Sequence, residues 1–178
     1  MTPTGRARHD ATRPDFTERQ FRDALSEFAT GVTIIATRGT DGVFAGFTAN
    51  SFNSVSLHPP LVVWSLAQDA TTLPAFLGCE RYAISVLAAN QVALARRFSR
   101  PHADRFDGVE FELGWAGAPL LAGAAAWFEC LHHALHPAGD HTLFLGEVVR
   151  CRRRHGPGLV FHHGRFLTTS GPLAGDGE

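Results

Sequence analysis

The sequence of 178 residues has no apolar run long enough to cross a membrane, and its first fifteen residues lack the apolar segment of a signal peptide. An excess of charge of either sign is also missing. A net charge of −1 gives no electrostatic footing for nucleic acid or an anionic membrane as the main partner. The arginines at Arg150 and Arg152 to Arg154 therefore read as a solvated strand end. Cysteine is confined to Cys79, Cys130 and Cys151, an odd number with no CxxC pair, which argues for reduced thiols and a cytoplasmic protein. No GxGxxG follows a strand, and there is neither a P-loop nor a GxSxG elbow, so a Rossmann unit, a P-loop NTPase and an α/β-hydrolase are set aside. Ten histidines raise the question of a metal. The pairs His132-His133 and His162-His163 are adjacent on expected strands, where alternation sends neighbours to opposite faces, so no metal site is expected. Cys79, near the end of a short helix without an evident base, reads as a packed thiol.

What is present is a chain with 44% hydrophobic and 19% charged residues, enough to bury a core. The length suits one domain over residues 16–170, between loose tails at 1–15 and 171–178. A helix is expected from Thr17, capped by Thr17 with Gln20 reaching back and stapled by Phe16 on Phe21. Phe21, Leu25 and Phe28 share its face, and Gly31 ends it. "VTIIATR", "LVVWSLA" and "YAISVLA" read as strands, and "GTDG" as a turn. Pro59-Pro60 marks a corner or an edge. "TTLPAFLG" is a short helix capped by Thr72, and "NQVALARRFS" one capped by Asn90. "AAWFECLHHALH" and "HTLFLGEVVRC" form a long hairpin around "PAGD", and "GLVFHHGRFLTT" is a strand broken by a turn at Gly164. Many strands with few short helices favour a mainly β fold, an antiparallel barrel with helical decoration.

The segment "GFTANSFNSVSLHPPLVVWSL" is unusual for a strand region because of its many short hydroxyl and amide side chains. Thr48, Asn50, Ser51, Ser54 and Ser56 would line a sheet edge suited to a flat, hydrogen-bonding heterocycle. "QDATTLP" puts two hydroxyls at a helix start, where free N–H groups favour phosphate. "GDH" places His141 at a hairpin tip.

Taken in order, these segments resemble the flavin reductase-like family, whose fold is the FMN-binding split barrel. The likeness runs from Phe21 to Leu167 through "FATGVTIIAT", "RYAISVLAANQVALARRFS", "FDGVEF", "GAPLLAGAAAWFEC" and "GDHTLFLGEV". It is greatest to reductase components of bacterial two-component monooxygenases, those of actinomycete antibiotic pathways among them. The resemblance implies an antiparallel split β-barrel, a homodimer, and NADH- or NADPH-dependent reduction of FAD or FMN, with the flavin an exchangeable substrate passed to a partner monooxygenase. It implies flavin contacts from Thr33, Thr48, Ala49, Asn50, Ser51, Ser54, Val55, Ser56 and Ser65, and a phosphate loop of Asp69, Ala70, Thr71 and Thr72. His141 would lie beside the stacked rings, and His163, Gly164, Arg165 and Phe166 against the nicotinamide nucleotide. Two other readings share the flavin: an oxidase of the pyridoxamine-phosphate type, and an electron-transfer module with tightly bound FMN.

Overall fold

A computed structural model describes residues 14–100, 104–115 and 117–169. The expected tail at 171–178, and all of the expected tail at 1–15 except residues 14 and 15, lie outside the described residues. In chain order the elements are α1 (Glu18–Ser26), β1 (Thr30–Gly31), β2 (Thr33–Arg38), β3 (Phe44–Ala49), β4 (Asn53–Leu57), β5 (Pro60–Ala67), α2 (Leu73–Leu77), β6 (Arg81–Val86), α3 (Val92–Phe98), β7 (Phe111–Leu113), β8 (Pro119–Leu121), β9 (Ala126–Ala138), β10 (His141–Arg153), β11 (Leu159–His162) and β12 (Arg165–Thr168). All paired strands are antiparallel, as the strand-rich sequence leads one to expect.

The main sheet has seven strands in the order β3-β2-β6-β9-β10-β5-β4. It curls on itself around an interior filled from both halves: Ile35, Trp64, Tyr82, Cys130 and Phe144 share one buried cluster. Phe47 of edge strand β3 reaches across to Trp64 of β5, with ring centroids 5.6 Å apart. Trp64 stacks on Phe144 at 4.0 Å, and Phe76 of α2 closes that end of the interior edge-on to Trp64. Aromatic pairs of this kind contribute about 0.5–1.5 kcal/mol each beyond their area. The other face of β2 is covered as well, because Ile34 and Ala36 pack with Ala95 and Phe98 of α3. Burial on both faces explains the unbroken apolar run in "VTII".

The two edges of the curled sheet, β3 and β4, both draw on the polar segment Gly46–Leu57, which contains all of β4 and the last four residues of β3. A strand edge leaves backbone N–H and C=O groups without ladder partners, and short polar side chains suit such a place. The barrel is split where the sequence is richest in serine and asparagine.

Local signals at α1 are met. Thr17 accepts from Gln20 N, the Gln20 side chain accepts from Thr17 N, and Phe16 stacks on Phe21 at 5.3 Å. The helix stops at Ser26, however, with Glu27 as its C-cap; Gly31 belongs to β1, paired with β11. Asn90 does not cap α3. It lies in a 3₁₀ turn, and Gln91 bridges instead, accepting from Ala88 N and donating to Ala122 O. Thr72 holds the cap position of α2 without a side-chain capping bond.

Gly146 has a packing reason. A Cβ there would collide with the Tyr82 hydroxyl, beside a bulge between Leu145 and Gly146. Gly146→Ala should therefore cost about 1–3 kcal/mol, read as a lower urea midpoint. Gly146→Ala with Tyr82→Phe should recover part of that loss. Unchanged stability in the single variant would refute the packing account.

Candidate functional site

A cleft of about 630 Å³ lies where β3, α3 and the β11–β12 hairpin meet. Such a volume is in the range of small-molecule sites. From the split edge come Thr48 and Asn50, with Val32 beside them; from α3 and its end come Val92, Arg96, Ser99 and Arg100; from the hairpin come Phe161, Gly164, Arg165 and Phe166.

Each wall is held by identifiable bonds. Thr48 donates its hydroxyl proton to Ala95 O at 2.7 Å, which ties β3 to α3. The hairpin turns through His163 and Gly164, both with positive φ (48° and 71°), the combination that suits a two-residue turn between right-twisted strands. Phe166 presents its ring to the Arg96 guanidinium at 5.8 Å. Three guanidinium groups, Arg96, Arg100 and Arg165, thus border one cleft, and all three residues are exposed. The chain carries no lysine, so every Lys/Arg-type cation it can offer a phosphate is a planar, fork-shaped donor. Arg96, Ser99 and Arg100 were missed at the level of sequence: Arg96 lies in α3, but Ser99 is its C-cap and Arg100 stands just past the helix end, so helical spacing alone does not group them.

A second group gathers at the far end of β5. Gln68 donates its backbone N–H to Asp140 O at 2.9 Å and its side-chain amide to Gly139 O at 3.2 Å. These bonds bring the 69–72 loop beside the β9–β10 hairpin tip and so beside His141, which is opposite Ala67 in the ladder. His141 is half-buried. Its Nδ1 donates to Asp140 Oδ1 at 2.8 Å, and this bond holds the Asp140 carboxyl below its ordinary range. With Nδ1 so engaged, a neutral His141 offers Nε2 as an acceptor and donates from Nε2 only when protonated. Asp69 and Asp140 put two carboxylates beside this loop, and α2 has only five residues. On charge, the arginine-lined cleft is the better seat for a phosphate.

The remaining expected residues fall into four places. Ser51 links the two groups: its hydroxyl accepts from Ser65 N at 3.0 Å and donates to Ser65 O at 3.3 Å, binding the β3–β4 connection onto β5. Thr33 is buried and donates to the carbonyl of Ala49, itself buried, so these two residues build the barrel wall. Ser54 and Val55 are exposed on edge strand β4, while the Ser56 hydroxyl accepts from His58 N and shapes the turn. His163 departs most from expectation. It leaves the strand in a left-handed turn, so the His162 and His163 rings do not diverge but lie 4.3 Å apart. Its ring faces Ser26 and Glu27 and does not line the cleft.

Comparison with known proteins follows the same lines. Residues 25–170 match the flavin reductase like domain. The chain is 45% identical over 148 residues to an FMN reductase (NADH) of Agrobacterium fabrum, covering 83% of this chain and 84% of that protein. It is 38% identical to the reductase component of a flavin-dependent trigonelline monooxygenase from Acinetobacter baylyi, covering 84% of this chain but only 48% of that relative's length. Among solved structures, the NADH:FAD oxidoreductase of Streptomyces globisporus, in complex with NAD and FAD fragments, superposes with a TM-score of 0.81. That match has 42% identity and covers 90% of this chain and 96% of that one.

Proposed function

The chain belongs to the flavin reductase-like family, and on that premise we propose that it is an NAD(P)H:flavin oxidoreductase supplying reduced flavin to a separate monooxygenase. The observation that carries this reading is the cleft itself. It combines a polar strand edge at Thr48 and Asn50, an aromatic face at Phe166 and three arginines whose chemistry suits phosphate.

Flavin and nicotinamide nucleotide are the substrates, and the reaction moves a hydride and a proton to give oxidised nicotinamide and reduced flavin. The protein's contribution is positioning, which supplies on the order of 7–11 kcal/mol where two reactants are held in register. Arg96, Arg100 and Arg165 hold phosphates and so fix the depth of the nucleotide. Asn50 offers its side-chain amide to the ring edge, where a donor offsets the negative charge that develops on reduction, while Thr48, bonded to Ala95 O, holds that edge in place. Phe166 gives an apolar surface for stacking. His141, oriented by Asp140, serves the other end of the site together with the 69–72 loop.

Three further features belong to this reading. The unit that acts is one domain over residues 16–170. It works as a homodimer: α1 buries none of its residues, and Phe21, Leu25 and Phe28 are 49%, 55% and 72% exposed, an apolar face that a second copy would cover. It works in the cytoplasm, consistent with three free cysteines. No helix among the described residues is long and apolar enough to cross a membrane.

Anaerobic steady-state assays crossing FAD, FMN and riboflavin with NADH and NADPH test the reading. Flavin-dependent oxidation of at least one nicotinamide, with NADH preferred, is expected. Nicotinamide left unconsumed in all combinations would exclude reductase activity.

A further inference from the structure

The end of α1 and the β11–β12 turn bring three metal-ligating side chains together outside the cleft. Ring nitrogens of His162 and His163 and a carboxylate oxygen of Glu27 all lie within 4.8 Å of one another. We propose that Glu27, His162 and His163 form a divalent-cation site suited to Zn²⁺, which fastens the β11–β12 hairpin to α1.

The grouping is built by the backbone. His163 occupies the left-handed region at φ 48°, and its N–H donates to Ser26 O at 3.2 Å, so the turn is already docked on the last turn of α1. Its Nε2 stands 3.1 Å from Glu27 Oε2, and its Nδ1 stands 3.3 Å from the Ser26 hydroxyl. The His162 ring meets the His163 ring edge-on at 73°. A plain Glu27–His163 ion pair, half-exposed, would contribute little and has no need of the second imidazole.

The donor set selects the ion. Zinc bonds of about 2.0–2.2 Å to nitrogen and oxygen place tetrahedral ligands roughly 3.4 Å apart, so small side-chain rotations close the present spacing. Two imidazoles and one carboxylate fit Zn²⁺, with water as a fourth ligand reaching the exposed face. Mg²⁺ and Ca²⁺ require more oxygen ligands than the cluster contains. Copper and nickel follow the same preference and would compete. Gly164, Arg165 and Phe166 come directly after His163 and line the cleft, so a bound ion would stiffen the cleft's rim.

Calorimetric titration of the full chain, stripped with chelator and dialysed, with zinc chloride tests the site. A micromolar event with one ion per chain is expected, absent with magnesium chloride. Its affinity should fall at least about tenfold in Glu27→Gln, His162→Ala and His163→Asn, the last of which tolerates the left-handed turn. An unchanged isotherm in all three variants would place any zinc on other histidines and overturn the proposal. Hydrogen exchange of the wild-type chain provides a check independent of variant folding. Zinc should slow exchange at residues 26–28 and 162–166; equal exchange with and without zinc refutes the clamp.

Discussion

Alanine at both Arg96 and Arg100 should raise the half-saturating concentration of FMN about a hundredfold while moving that of riboflavin only a few-fold. A charge-assisted hydrogen bond contributes about 1.5–3 kcal/mol, and about 1.4 kcal/mol corresponds to a factor of ten. Both arginines are exposed, so the lower end of that range applies to each, and two such losses multiply. Riboflavin has the same ring and ribityl chain without the phosphate, so the ratio of the two effects isolates the phosphate contact. Equal effects on both flavins would remove the arginines from that role. An effect confined to NADH would assign them to the nicotinamide nucleotide. Thr71→Ala with Thr72→Ala, measured in the same way, tests the 69–72 loop. Its carboxylate neighbours predict a smaller FMN-to-riboflavin ratio than the arginine pair gives.

His141→Ala should lower flavin reduction roughly tenfold with little change in thermal stability. One lost positioning bond of about 1.4 kcal/mol corresponds to that factor. The side chain of His141 is 44% exposed, and that of its partner Asp140 is 94% exposed, so the fold depends little on the pair. Because Asp140's pKa is lowered by this bond, the contact is present at neutral pH and is lost as pH falls through that lowered value. Asp140→Asn keeps the imidazole but weakens its orientation, and an intermediate loss is expected there. Wild-type turnover in His141→Ala would return the residue to an ordinary turn position.

Much of the fold was legible because its signals are local. Thr17, Gln20 and Phe16 lie within a few residues of the groups they bind, and the hairpin turns carry glycine where φ is positive. The ends of elements were less legible, because distant partners decide them. Gly31 pairs with β11 and so does not end α1, and the Gln91 side chain, by bonding Ala122, displaces Asn90 as the cap. The candidate site divides in the same way. The polar segment announced the split edge, yet Arg96 and Arg100 acquire meaning only when α3 is laid against β3 and the last hairpin. Alternation misjudged His162-His163 because it holds only while the backbone stays extended, and His163 has left that region.

Flavin comes and goes as a substrate. The cleft is open and its cations are exposed, which suits micromolar binding, near −8 kcal/mol, and release many times per second; nanomolar binding, near −12 kcal/mol, would hold the product too long. The direct test is NADH oxidation by extensively dialysed protein, before and after FAD or FMN is added. Protein that loses its yellow colour, consumes no NADH alone, and regains activity with micromolar half-saturation in flavin is the expected result. Protein that keeps flavin at full occupancy through dialysis and does not respond to added flavin would rule out an exchangeable substrate and favour a resident-cofactor oxidase or carrier.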